Sequence, residues 1–144
     1  MSHPRLSPHE AQQLLQDQRY VYLDVRSEPE FALGHPEGAY NIPLKFQAPG
    51  GMVDNPDFIA VVLATFPPTQ PLVLGCRSGS RSRTAALRLL DAGYTSVVEQ
   101  RAGYDGARDA FGQLAEQGWQ AAGLPIRSEP VPGRDYAALK LRTR

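Results

Sequence analysis

The chain has 144 residues, a length suited to one domain, of which 42% are hydrophobic and 21% charged. Fifteen basic side chains balance fifteen acidic ones, which excludes a global field that would draw in nucleic acid or an anionic membrane. The single cysteine excludes an internal disulfide. Met1–Arg5 lacks the apolar run of a secretory signal, and no stretch approaches the ~18 apolar residues of a membrane span, so a soluble protein of a reducing cytoplasm is the expectation.

In chain order, Ser7-Pro8-His9-Glu10 has the form of a capping box with proline at the first helical position. A first helix is predicted to about Asp17, its apolar face made by Ala11, Leu14 and Leu15. Tyr20–Val25 is rich in β-formers and reads as a strand. Ser27-Glu28-Pro29-Glu30 repeats the capping signal, opening a short helix through Leu33 that Gly34 stops. Ala39–Ile42 is a short strand candidate, and Lys45–Asn55 reads as a loop around Pro49-Gly50-Gly51. Asn55 is expected to cap the next helix, with Phe58, Ile59, Val62, Leu63 and Phe66 as its buried face and Pro67-Pro68 as its end.

Pro71–Leu74 is short and apolar without alternation, the pattern of a central parallel strand covered on both faces. A helix follows Arg81, with Ala85, Leu87, Leu89 and Leu90 as its apolar residues and Gly93 at its end. Ser96–Val98 is a further strand, Gly103–Gly106 a tight loop, and Ala107–Gln117 a last predicted helix with Trp119 just beyond. Residues 124–144 form a proline-rich, polar tail, packed on or trailing a core of about residues 5–123. Alternating strands and helices predict a single α/β domain with a mostly parallel sheet, whose ligands sit beyond the carboxyl ends of the strands.

Cys76 falls at such a strand end. It opens the stretch Cys76-Arg77-Ser78-Gly79-Ser80-Arg81, which leads directly into a helix. A lone cysteine is ordinarily a small buried hydrophobe, but Arg-Ser-Gly-Ser-Arg is a poor sequence for a core. It suits an anion cradle: loop N–H groups can turn inward as a nest, and Gly79 permits the required backbone. Ser78 and Ser80 add hydroxyl donors, and Arg77 or Arg81 can hold an oxyanion with paired hydrogen bonds. A helix N-terminus with nearby cations lowers a thiol pKa from ~8.5 into the range of about 3.5–7.5. Cys76 is therefore the expected nucleophile.

These residues resemble the rhodanese-like domain family of sulfurtransferases. Leu23-Asp24-Val25-Arg26, Glu30-Phe31, Gly34-His35, Gly38-Ala39 and Asn41-Ile42-Pro43 look like that family's amino-terminal signature. Cys76–Ser82 looks like its active-site loop, and Ala92–Val97 follows in the usual place. The resemblance implies a rhodanese-like α/β fold, with a central, mostly parallel sheet of about five strands and helices on both faces. It also implies a sulfurtransferase that moves a sulfane sulfur from a donor such as thiosulfate or a persulfide to a thiol or cyanide acceptor. Cys76 would carry the sulfur as a persulfide between two half-reactions, and Arg77, Ser78, Gly79, Ser80 and Arg81 would bind the donor. Four residues separate Cys76 from Arg81. Related cell-cycle-type phosphatases have a loop one residue longer, so a phosphatase or arsenate reductase is the weaker alternative. A persulfide carrier that delivers sulfur to a protein partner is the other. No metal or organic cofactor is implied, and neither nucleic acid nor membrane is an expected partner.

Asp24 and Arg26 lie just past a strand. They read either as supports that orient the cradle or as an ion pair fixing the Ser27 turn. His35 sits before a turn and is not expected to act as a base, and three scattered histidines with one cysteine do not make a zinc site. The chain departs from the commoner family pattern at Arg101–Ala107, where a paired glycine and a tryptophan are usual, and at Gly75, where a bulkier residue often precedes the cysteine.

Overall fold

The structure, a computed structural model, describes residues 3–17, 19–77, 80–129 and 132–143. The order of elements is β1 (Arg5–Leu6), α1 (Pro8–Asp17), β2 (Val21–Asp24), α2 (Glu28–Leu33), β3 (His35–Pro36), β4 (Tyr40–Asn41), β5 (Lys45–Ala48) and β6 (Gly51–Asp54). There follow α3 (Phe58–Thr65), β7 (Leu72–Gly75), α4 (Ser80–Asp91), β8 (Val97–Gln100), β9 (Ala107–Arg108), β10 (Leu114–Glu116), β11 (Ile126–Arg127) and α5 (Tyr136–Lys140). Five strands form a parallel sheet in the order β1-β8-β7-β2-β4, so β7 lies at its centre.

Side chains alternate across this sheet, and each face has its own core. Leu23, Leu72, Leu74 and Val97 face one layer, packed against Phe58, Val61 and Val62 of α3, Ala85, Ala86 and Leu89 of α4, and Tyr136 and Leu139 of α5. Tyr22, Val73 and Val98 face the other, packed against Ala11, Phe31, Tyr104 and Trp119. Both predicted helix starts have their reciprocal caps. The Ser7 hydroxyl accepts from the Glu10 N–H while Glu10 accepts from the Ser7 N–H, and Ser27 and Glu30 do the same for α2.

Four expectations are corrected. Residues 45–55 are not an irregular loop. Their first ten form the antiparallel β5–β6 ribbon, turning at Pro49-Gly50, and its mostly exposed residues give no burial pattern to read. Asn55 does not cap α3. Its Oδ1 accepts from the Asp57 N–H, its Nδ2 bridges the Pro43 carbonyl and the Tyr136 hydroxyl, and Asp57 is the residue before the first turn. Val61 rather than Leu63 then completes the buried face, and Leu63, like Leu87 on α4, points outward. The helix expected over 107–117 is the β9–β10 hairpin. Asp109 Oδ1 accepts from the N–H groups of Phe111 and Gln113, a local turn that competes with helix. Gly112 takes a positive φ in it, and Phe111 is 89% exposed, so no apolar face exists to hold a helix down.

The tail does pack on the domain. β11 pairs antiparallel with β3, the Asn41 N–H donates to the Arg134 carbonyl, and α5, capped by Asp135, buries Tyr136 and Leu139.

Candidate active site

The parallel sheet delivers Cys76 just past the carboxyl end of β7, and α4 begins at Ser80, so the thiol lies in a strand-to-helix turn. Cys76 is 1% exposed. Its sulfur is nonetheless not in a purely apolar setting. The Ser82 N–H, in the first turn of α4, donates to Sγ at 3.4 Å, and Sγ lies 3.5 Å from the Ser82 hydroxyl oxygen. The N-terminal end of the α4 dipole and a first-turn amide thus both face this sulfur. Ser78 and Gly79, expected to form the middle of the cradle, lie outside the described residues. Ser80 is exposed at the start of α4.

The chain around Cys76 is held by close backbone packing on two sides. Gly75 lies against Tyr22, where a Cβ would come within 1.7 Å of the phenolic oxygen. The departure from a bulkier residue at this position is thereby explained: the buried Tyr22 occupies the room. On the other side the Tyr104 N–H donates to the Cys76 carbonyl at 2.7 Å and the Asp105 N–H to the Arg77 carbonyl at 3.0 Å. Gly103, at φ +70°, lets this segment approach, and a Cβ there would sit 2.4 Å from the Arg77 carbonyl oxygen. Gln100 closes the turn from beneath, its side chain bonding both the N–H and the carbonyl of Gly103.

The two loop arginines take different places. Arg81 is half-buried and forms a two-pronged bond to Glu30, at 2.7 and 3.0 Å. Burial works against its charge, but Glu30, with Cys76 and Asp24 contributing, holds the guanidinium above its usual pKa. Burial likewise works against the Glu30 carboxylate, yet the hydrogen bonds from Arg81 and Ser27 and the Arg81 charge prevail and lower its pKa from 4.5 to about 2. A depressed carboxylate contributes stability above its unfolded pKa and loses it as pH falls through the folded value. Glu30→Gln is therefore expected to lower the unfolding free energy by about 2 kcal/mol at neutral pH, with the difference fading between pH 4.5 and about 2. Denaturant titrations of both proteins at neutral pH and at pH 2.5 check this; an equal gap at both values would show that the ion pair is not its source.

Arg77 is exposed and pairs through Nε with Asp105 at 2.7 Å. Two clefts of about 450 and 390 Å³ adjoin there, sharing Arg77, Tyr104, Asp105 and Gln120 as walls. Arg108 adds a cation to the first, and Arg26 and Glu30 line the second.

Asp24 and Arg26 form a buried fork, with Arg26 Nη2 at 2.8 Å from Asp24 and 2.7 Å from the Gly34 carbonyl. The guanidinium lies 4.3 Å from the centre of the Tyr104 ring. The pair ties the end of β2 to the end of α2, and its guanidinium braces the Tyr104 ring beside the clefts. His35 is structural: its Nδ1 bonds the Phe31 carbonyl at 2.8 Å and its ring stacks on Phe31. Arg101 pairs with Glu116 and the Arg5 carbonyl, tying the β9–β10 hairpin to β1.

Sequence reasoning gave Glu99 no role, placed Ser82 in the loop without a function of its own, and read Glu30 only as a helix cap and signature residue and Gly103–Gly106 only as a tight loop. Glu99 carried a signal, because a carboxylate interrupts the apolar run Val97-Val98 in a strand that the sheet buries completely. Among the described residues no cluster of His, Cys, Asp and Glu is placed to hold a metal ion, and no helix is long and apolar enough to cross a membrane.

An open parallel sheet with a thiol at the end of its central strand and a helix N-terminus aimed at it defines a cysteine-centred α/β domain. The chain belongs to the rhodanese-like domain family, whose model matches residues 7–110. It is 42% identical over 85 residues to the senescence-associated protein DIN1 of Raphanus sativus, a match covering 59% of this chain and 46% of that one. A second plant relative is likewise matched over about half its length. With the Arabidopsis thaliana protein named thiosulfate sulfurtransferase 16, chloroplastic, the identity is 37% over 107 residues, covering 74% of this chain and 79% of that one. Among solved structures, Rv0390 from M. tuberculosis superposes with a TM-score of 0.74 at 31% identity, covering 89% of this chain and all of that one.

Proposed function

We propose that this protein is a sulfurtransferase in which Cys76 carries the sulfur. The observation that carries the reading is the Ser82 N–H directed at Cys76 Sγ from the first turn of α4, with the Arg81 charge alongside. Relatives named thiosulfate sulfurtransferase support the reaction class. The Cys76 thiolate attacks the outer sulfur of thiosulfate or of a persulfide. The donor's S–S bond breaks, sulfite (or the donor thiol) leaves with the bonding pair, and Cys76 becomes a persulfide. A thiol or cyanide acceptor then attacks the terminal sulfur, and the Cys76 thiolate departs. The α4 amide and dipole hold the negative charge in each state.

Arg77, on the rim shared by the two clefts, meets the anionic end of the donor in this reading, and Arg81 supplies positive charge from the side of Glu30. In this reading Ser78, Gly79 and Ser80 also bind the donor, and Asp24 and Arg26 support the site through Tyr104. A nucleophile that works only when reduced fits a reducing compartment such as the cytoplasm.

Intact-mass measurement after mixing with thiosulfate tests the reading. A gain of one sulfur atom, lost on adding a thiol, is expected; no gain from thiosulfate or from a persulfide donor overturns it. Loading from a persulfide donor alone, with delivery to a protein thiol, would mark the chain as a carrier.

Arg81→Ala is expected to lower kcat/KM for thiosulfate by about tenfold or more, while Arg83→Ala, on the exposed face of α4, leaves it within about twofold. Steady-state kinetics check this, and equal losses would remove Arg81 from the site.

A further inference from the structure

Glu99 is fully buried, and nothing in the transfer scheme uses it. Its two oxygens have separate partners. Oε2 takes His3 Nε2 at 2.6 Å and Arg5 Nε at 3.0 Å, both from the segment that begins the sheet at β1. Oε1 takes the Ser82 hydroxyl at 2.7 Å. The oxygen of that hydroxyl lies 3.5 Å from Cys76 Sγ. A hydroxyl has one proton, and a carboxylate can only accept. With the Ser82 proton on Glu99, Ser82 presents a lone pair to Cys76 and favours the thiol. With Glu99 protonated, Ser82 is released to donate to the sulfur and favours the thiolate. Among the described residues, Arg81 on α4 and Tyr22 on β2 also bear on the sulfur, and His3 and Arg5 face Glu99.

We propose that Ser82 couples Cys76 to Glu99 so that the two share one acidic proton. The exchange balances within the chain. The S–H bond of Cys76 breaks as its proton passes to Ser82 Oγ, the former Ser82 O–H bond breaks, and that proton forms an O–H bond on Glu99 Oε1. The negative charge moves from the carboxylate to the sulfur, and the total is unchanged. Glu99 is a positioning residue, since it acts on the sulfur only through Ser82. His3 and Arg5 make the N-terminal strand part of this control, because both bond the other oxygen of the carboxylate, Arg5 as a cation.

The proposal rests on Cys76 being the reactive thiol but not on what it transfers, so it is read without a sulfur donor. The pH titration of thiolate ultraviolet absorbance and the rate of alkylation by iodoacetamide are measured for the wild-type chain, Glu99→Gln, Ser82→Ala and the double variant. Glu99→Gln is expected to lower the thiolate midpoint by about one pH unit, and to speed alkylation about tenfold below the wild-type midpoint. In the Ser82→Ala background the Glu99→Gln change is expected to have no further effect, which separates a relayed proton from a charge felt through space. An unchanged midpoint in a folded Glu99→Gln protein overturns the proposal, as does an equal shift with and without the Ser82 hydroxyl. Should Glu99→Gln fail to fold, the wild-type infrared spectrum decides: a protonated-carboxyl band is expected to disappear as the thiolate titration completes and to be missing from Ser82→Ala, and its absence from the wild-type chain overturns the coupling.

Discussion

Cys76→Ser is expected to reduce sulfur transfer from thiosulfate at least about a thousandfold while leaving the fold in place. The chemical reason is that a serine hydroxyl is a far weaker nucleophile than a thiolate and cannot hold a transferable sulfur. The structural reason for an intact fold is that serine is close in size to cysteine and keeps a partner in the Ser82 N–H, which now points at Sγ. Its unfolding free energy is expected to stay within about 1 kcal/mol of the wild type. Cyanide-coupled turnover and denaturant unfolding measure the two halves of this result. Turnover above background in the variant would refute the role of Cys76, whatever the stability.

Gly103→Ala is expected to cause the largest loss of stability among these variants and to disable the site at a distance from the thiol. Two costs add. The residue sits at φ +70°, which an alanine tolerates at about 1 kcal/mol. The new methyl would also lie 2.4 Å from the Arg77 carbonyl oxygen and 2.6 Å from that of Cys76, both backbone atoms that cannot swing aside. Relief requires the 103–105 turn to move off the Cys76–Arg77 peptides, breaking the bonds from the Tyr104 and Asp105 N–H groups. A loss of about 3 kcal/mol follows, together with slower alkylation of Cys76 in the fraction that remains folded. Denaturant titration and an alkylation time course check the pair of effects; wild-type values for both would show that the turn does not hold the site.

Much of this could be read from residue patterns. Both capping boxes, the central strand before Cys76 and the helix after it are local signals, written in a few adjacent residues. The mostly parallel α/β sheet followed because strands alternate with helices along the chain; the order of its strands was not legible. What escaped was non-local or weakly patterned. Residues 107–117 contain enough helix formers to suggest a helix, and only the Asp109 turn and the missing apolar face decide for a hairpin. β1 spans two residues and gives no periodicity, so neither it nor the bonds that His3 and Arg5 send to Glu99 could be foreseen. Arg81 was legible as a cation beside the thiol. Its bond to Glu30 was not, because the two are 51 positions apart.

The closing helix α5 bears on how this unit can be excised. The family match ends at residue 110, yet Trp119, Tyr136 and Leu139 are all buried, one on the α1 side of the sheet and two on the α3 side. A fragment trimmed to the matched segment would uncover both layers at once. Any fusion or expression boundary that preserves the folded body must therefore run past Lys140.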